Sequence, residues 1–182
     1  ILCKASGNQP WVKEAPLALL FCGDLHRSEK FLPIKDANVL HNSELFTVAV
    51  VDAALAAQKA LIAAQALGLG GVVVGGIRTD IGSVASAFNL PSLVYPLFLL
   101  CIGFPEEVPP QRPRMPLSFV TGKDSYPEIN DIGAMQEYDK AVSEYFNNLT
   151  NGVDTFGWIS RCNHALEMKP RYCVGEFLHE AG

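Results

Sequence analysis

Apolar residues gather in a few dense runs, and the spacing inside each run predicts its element. "APLALLFCGD" (15–24) is an unbroken apolar stretch between Pro16 and a Gly-Asp turn, the pattern of a strand covered on both faces. "HRSEKFLPIKDANVLHNSE", which follows, is polar and irregular and reads as a loop. From Ser43 to about Leu67 an alanine-rich helix is expected, with Ser43 as its cap and Gly68 and Gly70 as the glycines that close it. Alanines at helical spacing allow another helix to approach closely, so this helix suits a central position and contact with a second subunit. "GGVVVGGI", ending at Ile77, predicts a β-branched strand, and "DIGSVASAFNLP" a short helix stopped by Asn89 and Pro91. "YPLFLLCIGFP" (95–105) is a second buried strand, and Pro105, Pro109, Pro110, Pro113 and Pro116 make the next segment extended and stiff. In "DIGAMQEYDKAVSEYFNN" the apolar residues Ile132, Met135, Tyr138, Val142 and Tyr145 recur every three or four positions, an amphipathic helix, and two shorter helices follow, divided near Pro170. Strands interleaved with helices predict an α+β fold, a sheet covered by helices as in an α/β sandwich.

Composition narrows the class. A chain of 182 residues, 49% hydrophobic and 18% charged, is long enough for one domain with a sizeable core, and disorder is excluded. With 14 Lys+Arg against 19 Asp+Glu the surface is mildly acidic, which removes the positive footprint that nucleic-acid binding needs. Cys3, Cys22, Cys101, Cys162 and Cys173 include no CxxC pair, a usage that fits reduced thiols in the cytoplasm, with Cys22 and Cys101 in the core. The opening "ILCKASGNQPWV" lacks the shape of a targeting segment, and Asp52, Gln58, Lys59 and Gln65 interrupt the longest apolar stretch, so a core helix is expected and no membrane span. His26, His41, His164 and His179 form no pair at ligand spacing, no GxSxG motif occurs, and neither a metal site nor a hydrolytic triad is expected. Trp11 and Trp158 read as packing residues.

Two features carry candidate chemistry. Gly75 and Gly76 stand at the end of the predicted valine strand, where they fit either a turn or a backbone bared to an anion or a flat ring. The arrangement is not GxGxxG, because glycines of that fingerprint follow the strand, and it lacks the lysine of a phosphate-binding loop. In "PPQRPRMP", Arg112 and Arg114 flank Pro113; alternation in an extended segment points both to one side, so they are either two solvated charges or a stiffened clamp for phosphate or carboxylate.

Taken together and in order, "VVDAALAAQKALIAAQALGLGGVVVGGIR", "NLPSLVYPLFLLCIGFP", "QRPRMPL" and "MQEYDKAVSEYF" resemble the nitroreductase family, in its oxygen-insensitive NAD(P)H nitroreductase and flavin reductase branch. The resemblance implies an α+β sandwich with a central mixed or antiparallel sheet, an intertwined homodimer, and FMN in a cleft at the subunit interface. It implies one nitroreductase-like domain over 1–182, lacking the N-terminal part of the family domain, with 124–182 as its C-terminal helical extension. Gln9 in "SGNQPWV" matches a flavin-contacting glutamine; Val73, Val74, Gly75 and Gly76 match the strand end beside the isoalloxazine ring; Arg112 and Arg114 match a basic element at the phosphate and ribityl side. The implied activity is ping-pong: NADPH or NADH delivers a hydride to the flavin, which then reduces small-molecule acceptors such as nitroaromatics, quinones or free flavin, with no catalytic acid or base from the protein. An alternative from a different class is a flavin- or nucleotide-binding module, or a dimeric scaffold, without turnover. The loop "NNLTNGVDTFGW" has no basic residue before Arg161, where relatives commonly carry arginines for the 2′-phosphate of NADPH.

Overall fold

A computed structural model describes residues 1–168 and 170–182. Two compact units are distinguished, one formed by 1–107 with 171–182 and the other by 108–170.

The first unit is organised by three strands, β1 (Leu17–Asp24), β2 (Gly70–Val74) and β3 (Val94–Gly103), in the order β1-β3-β2 and antiparallel throughout. β3 lies in the middle, which is why its sequence is apolar at nearly every position. Leu99 and Cys101 pack on one face with Ala5, Val74, Ile77 and Val84, while Leu100 and Ile102 pack on the other with Ala64. β1, expected to be covered on both faces, is an edge strand and mostly half-buried, so of the two cysteines placed in the core only Cys101 is buried.

Helix α4 (Ser43–Ala66) covers the Leu100 face. Its buried residues are Ala49, Ala53, Ala57 and Ala64, and a Cβ built on Gly23 of β1 would lie 3.4 Å from the Cβ of Ala49. The buried alanine stripe brings the helix close to a strand of its own chain. The N-cap is Asn42, whose Oδ1 accepts from the Leu45 N–H at 3.0 Å, in place of the expected Ser43. Gly68, at φ 77°, closes the helix as expected, but Gly70 already belongs to β2. Among the described residues, α4 is the helix long and apolar enough to cross a membrane, by length and composition.

The opposite face carries α1 (Leu2–Ala5), α5 (Ile81–Ala87) and a 3-10 turn over Gly75–Asp80. Between α1 and β1 lies α2 (Pro10–Glu14). The stretch expected as a loop after β1 instead forms α3 (His26–Phe31) and a 3-10 turn at Ala37–Leu40. Asp24 accounts for α3: its carboxylate accepts from the Arg27 N–H at 3.2 Å and pairs with the Arg27 side chain at 2.9 Å.

In the second unit the proline-rich stretch runs extended as far as α6 (Leu117–Val120), a turn the sequence did not signal. Helix α7 (Ile132–Leu149) forms as predicted around buried Val142 and packs on α8 (Trp158–Met168) through Tyr138 and Trp158, rings 6.1 Å apart. The last helix, α9 (Tyr172–Ala181), lies in the first unit. There Tyr95 Oη donates to the Gly182 carbonyl at 2.8 Å, and the Leu93 N–H to the Ala181 carbonyl at 2.8 Å.

Candidate functional site

Where β2 ends, the chain tightens into the 3-10 turn, and Gly75 and Gly76 are its first two residues. That position leaves their N–H groups without partners inside the turn, since the first donors of any helix have none. Val73 stands out on the surface at 54% exposure, whereas Val74 is buried under the sheet. The strand end thus presents one exposed valine and two small residues with backbone donors.

Gln9 is brought against this turn. It caps α2, its Nε2 donates to the Ser6 carbonyl at 3.0 Å, and its Oε1 accepts from the Trp11 indole N–H at 3.0 Å. One Nε2 hydrogen and one Oε1 lone pair remain for a further partner. Trp11 is not the packing residue expected: it is 52% exposed and its indole fixes which way the Gln9 amide faces. A signal for this existed, since Gln9 and Trp11 stand two apart around Pro10.

The glycines answer to neighbours within the chain. A Cβ on Gly76 would lie 2.8 Å from Gln9 Nε2 and 2.8 Å from the Ser6 carbonyl oxygen, and one on Gly75 would lie 3.1 Å from Nη2 of Arg78. What crowds the Cβ side of both residues is therefore protein. Arg78, which the sequence left without a role, donates from Nη1 to the carbonyl of Leu97. Burial, and after it the nearby Arg171, pushes the Arg78 pKa below the usual guanidinium value.

The arginine pair belongs to the second unit. Arg112 sets its guanidinium carbon 5.1 Å from the centroid of the Phe146 ring. Arg161 lies on the same ring at 3.4 Å and bonds Asp154 Oδ2 at 2.6 Å, and its hydrogen bond is the main cause of a depressed Asp154 pKa. Tyr145 Oη donates to the Pro110 carbonyl at 3.0 Å, tying the extended segment to α7. Arg114 is exposed and, among the described residues, forms no ion pair, so Arg112 and Arg114 remain open to an anion while Arg161 is committed to Asp154.

Taken unit by unit, the backbone N–H groups and oriented amide of the first are of a kind that suits a polar ring edge such as that of a flavin, and the two guanidinium groups of the second are of a kind that suits a phosphate. Among the described residues no cluster of His, Cys, Asp and Glu could hold a metal ion.

Comparison with known proteins identifies the group to which the chain belongs. Residues 3–104 match the model described as "Nitroreductase family" and residues 112–182 the one described as "Nitroreductase family, C-terminal domain". "Oxygen-insensitive NADPH nitroreductase" of Salmonella typhimurium is 37% identical over 183 residues, covering 100% of this chain and 74% of that protein. "FMN reductase (NADPH)" of Bacillus subtilis is 35% identical over 182 residues, covering 97% of this chain and 73% of that protein. The solved structure of the NfrA1 nitroreductase from B. subtilis superposes with a TM-score of 0.92 at 34% identity, over 99% of this chain and 75% of that one. The chain belongs to the nitroreductase family.

Proposed function

We propose that this protein is an FMN-dependent oxidoreductase that takes a hydride from NADPH or NADH and passes the electrons to a nitroaromatic, a quinone or free flavin. The observation that carries the reading is the juxtaposition of the Gln9 amide with the Gly75–Gly76 turn, at the end of β2 where the family resemblance sets the flavin ring. The relatives are named as NADPH nitroreductase and FMN reductase, which favours turnover over a passive binding or scaffold role.

FMN, when bound, would supply the hydride and electron chemistry. The chain's residues hold and orient. Gln9, its amide turned by Trp11 and Ser6, offers its free N–H to the polar edge of the ring. Gly75 and Gly76 offer backbone N–H groups that need no reorganisation when negative charge develops. Val73, exposed, would offer the ring an apolar surface, and Val74, buried, anchors the strand end. Arg112, steadied on Phe146, and Arg114 hold the phosphate and ribityl end.

We further infer a cytoplasmic homodimer in which residues 1–182 act as one nitroreductase-like domain, with 124–182 as its helical extension. The outward face of α4 supports the dimer: Val48, Val51, Leu55 and Ile62 are each more than 40% exposed along one helix, an apolar stripe that a second copy would cover.

The test is an absorbance spectrum between about 350 and 500 nm of protein reconstituted with FMN under anaerobic conditions. Bleaching on addition of NADPH or NADH, and recovery on addition of a quinone, is the expected result. A protein that takes up no FMN refutes the reading, and one that binds FMN but is never bleached leaves the binding-module alternative. Sedimentation at the mass of one chain would refute the dimer.

A further inference from the structure

Behind Gly75 lies a cation, Arg78, for which the described residues provide no ion-pair partner. Arg78 is half-buried, and its guanidinium packs on the Gly75 backbone so closely that a Cβ there would lie 3.1 Å from Nη2 and 3.4 Å from Cζ. It is held from the other side by the carbonyl of Leu97. Leu97 is the residue skipped in the β1–β3 register, where Phe21 faces Phe98 and Cys22 faces Pro96, so the arginine engages the sheet at a bulge. Among the described residues no carboxylate pairs with it.

The charge that bears on Arg78 is a second cation, Arg171, the N-cap residue of α9. The start of α9 is fixed on the turn, because the Cys173 thiol donates to the carbonyls of Arg78 at 3.6 Å and Thr79 at 3.8 Å. Of the five N–H donors of the Arg78 guanidinium, one is committed to Leu97. A partly desolvated cation with a like charge beside it weakens the fold unless a bound anion supplies the missing partner.

We propose that Arg78, with Arg171 beside it, is the electrostatic partner of reduced, anionic FMN held against Gly75 and Gly76, so that the protein binds reduced FMN more tightly than oxidised FMN. This rests on the reading of Gly75 and Gly76 as flavin-facing. The ring and not the phosphate is the anion concerned, because Arg78 lies directly behind Gly75, whereas the phosphate falls to Arg112 and Arg114 in the proposed scheme.

The experiment is an equilibrium reduction of flavin bound to the full chain, read against a reference dye, for the unaltered protein, Arg78→Gln, Arg78→Lys and Arg171→Gln, each with FMN and with riboflavin. Arg78→Gln should lose about tenfold of the preference for the reduced form, a fall of about 30 mV for a two-electron couple, with affinity for oxidised flavin nearly unchanged. The same loss should appear with riboflavin, Arg78→Lys should retain most of the preference, and Arg171→Gln should lose part of it. An equal loss of affinity for both redox forms, or a loss confined to FMN and absent with riboflavin, overturns the proposal, the latter by assigning Arg78 to the phosphate. Circular dichroism of the flavin-free variants checks the fold, and should Arg78→Gln unfold, the Lys and Arg171→Gln variants decide the question by the same readout. An unaltered protein that binds neither flavin overturns the functional reading as well, whereas one that binds flavin with the same reduction equilibrium in all variants overturns this inference alone.

Discussion

Three glycines within one stretch of chain should respond in three different ways to a single added methyl group. At Gly76 the new Cβ would sit 2.8 Å from the Ser6 carbonyl oxygen and 3.2 Å from the Ser6 Cα, which are backbone atoms, as well as 2.8 Å from Gln9 Nε2. Backbone cannot swing aside, so Gly76→Ala must push α1 away from the turn and loosen the contacts that Ala5 makes with Val74 and Ile77. Overpacking of this kind costs about 1–3 kcal/mol. At Gly75 the neighbours are guanidinium atoms of Arg78, between 3.1 and 3.4 Å away, and even while bonded to Leu97 a side chain can shift the few tenths of an ångström required. Gly75→Ala should therefore cost about 1 kcal/mol or less. Gly82 lies in α5 with nothing within 4 Å of its added Cβ, so Gly82→Ala should stabilise by about 0.5–1 kcal/mol through the lost freedom of the unfolded chain. For a chain of this size each kcal/mol moves the melting temperature by roughly 2–4 °C, so Gly76→Ala should melt roughly 2–12 °C lower than the unaltered protein. Thermal unfolding followed by circular dichroism on flavin-free protein is the appropriate assay, because a bound ligand would add its own stabilisation. Melting of Gly76→Ala together with the unaltered protein, or greater damage from Gly75→Ala than from Gly76→Ala, would contradict this ordering.

Other parts of the structure make equally definite claims. Leu99 is fully buried in the central strand, so Leu99→Ala should cost about 2–5 kcal/mol, read as a lower midpoint in urea unfolding with an unchanged slope. Asn42→Ala removes the cap that receives the Leu45 N–H and should cost about 1 kcal/mol in the same assay, while Ser43→Ala, at the position the sequence favoured, should cost much less. Burial, aided by the charge of Asp24, pushes the Cys22 thiol from 9.0 up to about 11. Because the folded value is the higher one, the unfolded chain ionises first, and stability that is full below about pH 9 should decline between pH 9 and pH 11. Denaturation midpoints across that range should show the decline, and Cys22→Ala should lessen it.

The elements that were legible in the sequence are those in which one force dominates. β3 announced itself because a central strand needs apolar side chains on both faces, and α7 because one wet face and one dry face impose a helical period. β1 carries a similar apolar run yet lies at the sheet edge, since composition says how greasy a strand is and not how many neighbours it will find. α3 was missed because the stabilising carboxylate, Asp24, belongs to the end of the preceding strand, so the capping signal straddles what looked like an element boundary. The candidate site divides along the same line. That Gly75 and Gly76 stand at the end of β2 was visible in "VVVGG", and Arg112 and Arg114 in "RPR". What presses on the glycines was not, because Ser6 and Gln9 reach Gly76 only through the fold. Arg78 shows this most sharply: its side chain meets Leu97, 19 residues on, and its carbonyl meets Cys173, 95 residues on. Each of those partners is unremarkable in its own stretch of sequence, and the charge imbalance they enclose exists only once the strands have paired. The glycine pair consequently answers two demands at once. Its missing side chains admit Gln9 and Arg78 on the inner side, and the same close packing holds the turn whose N–H groups the proposed flavin would meet.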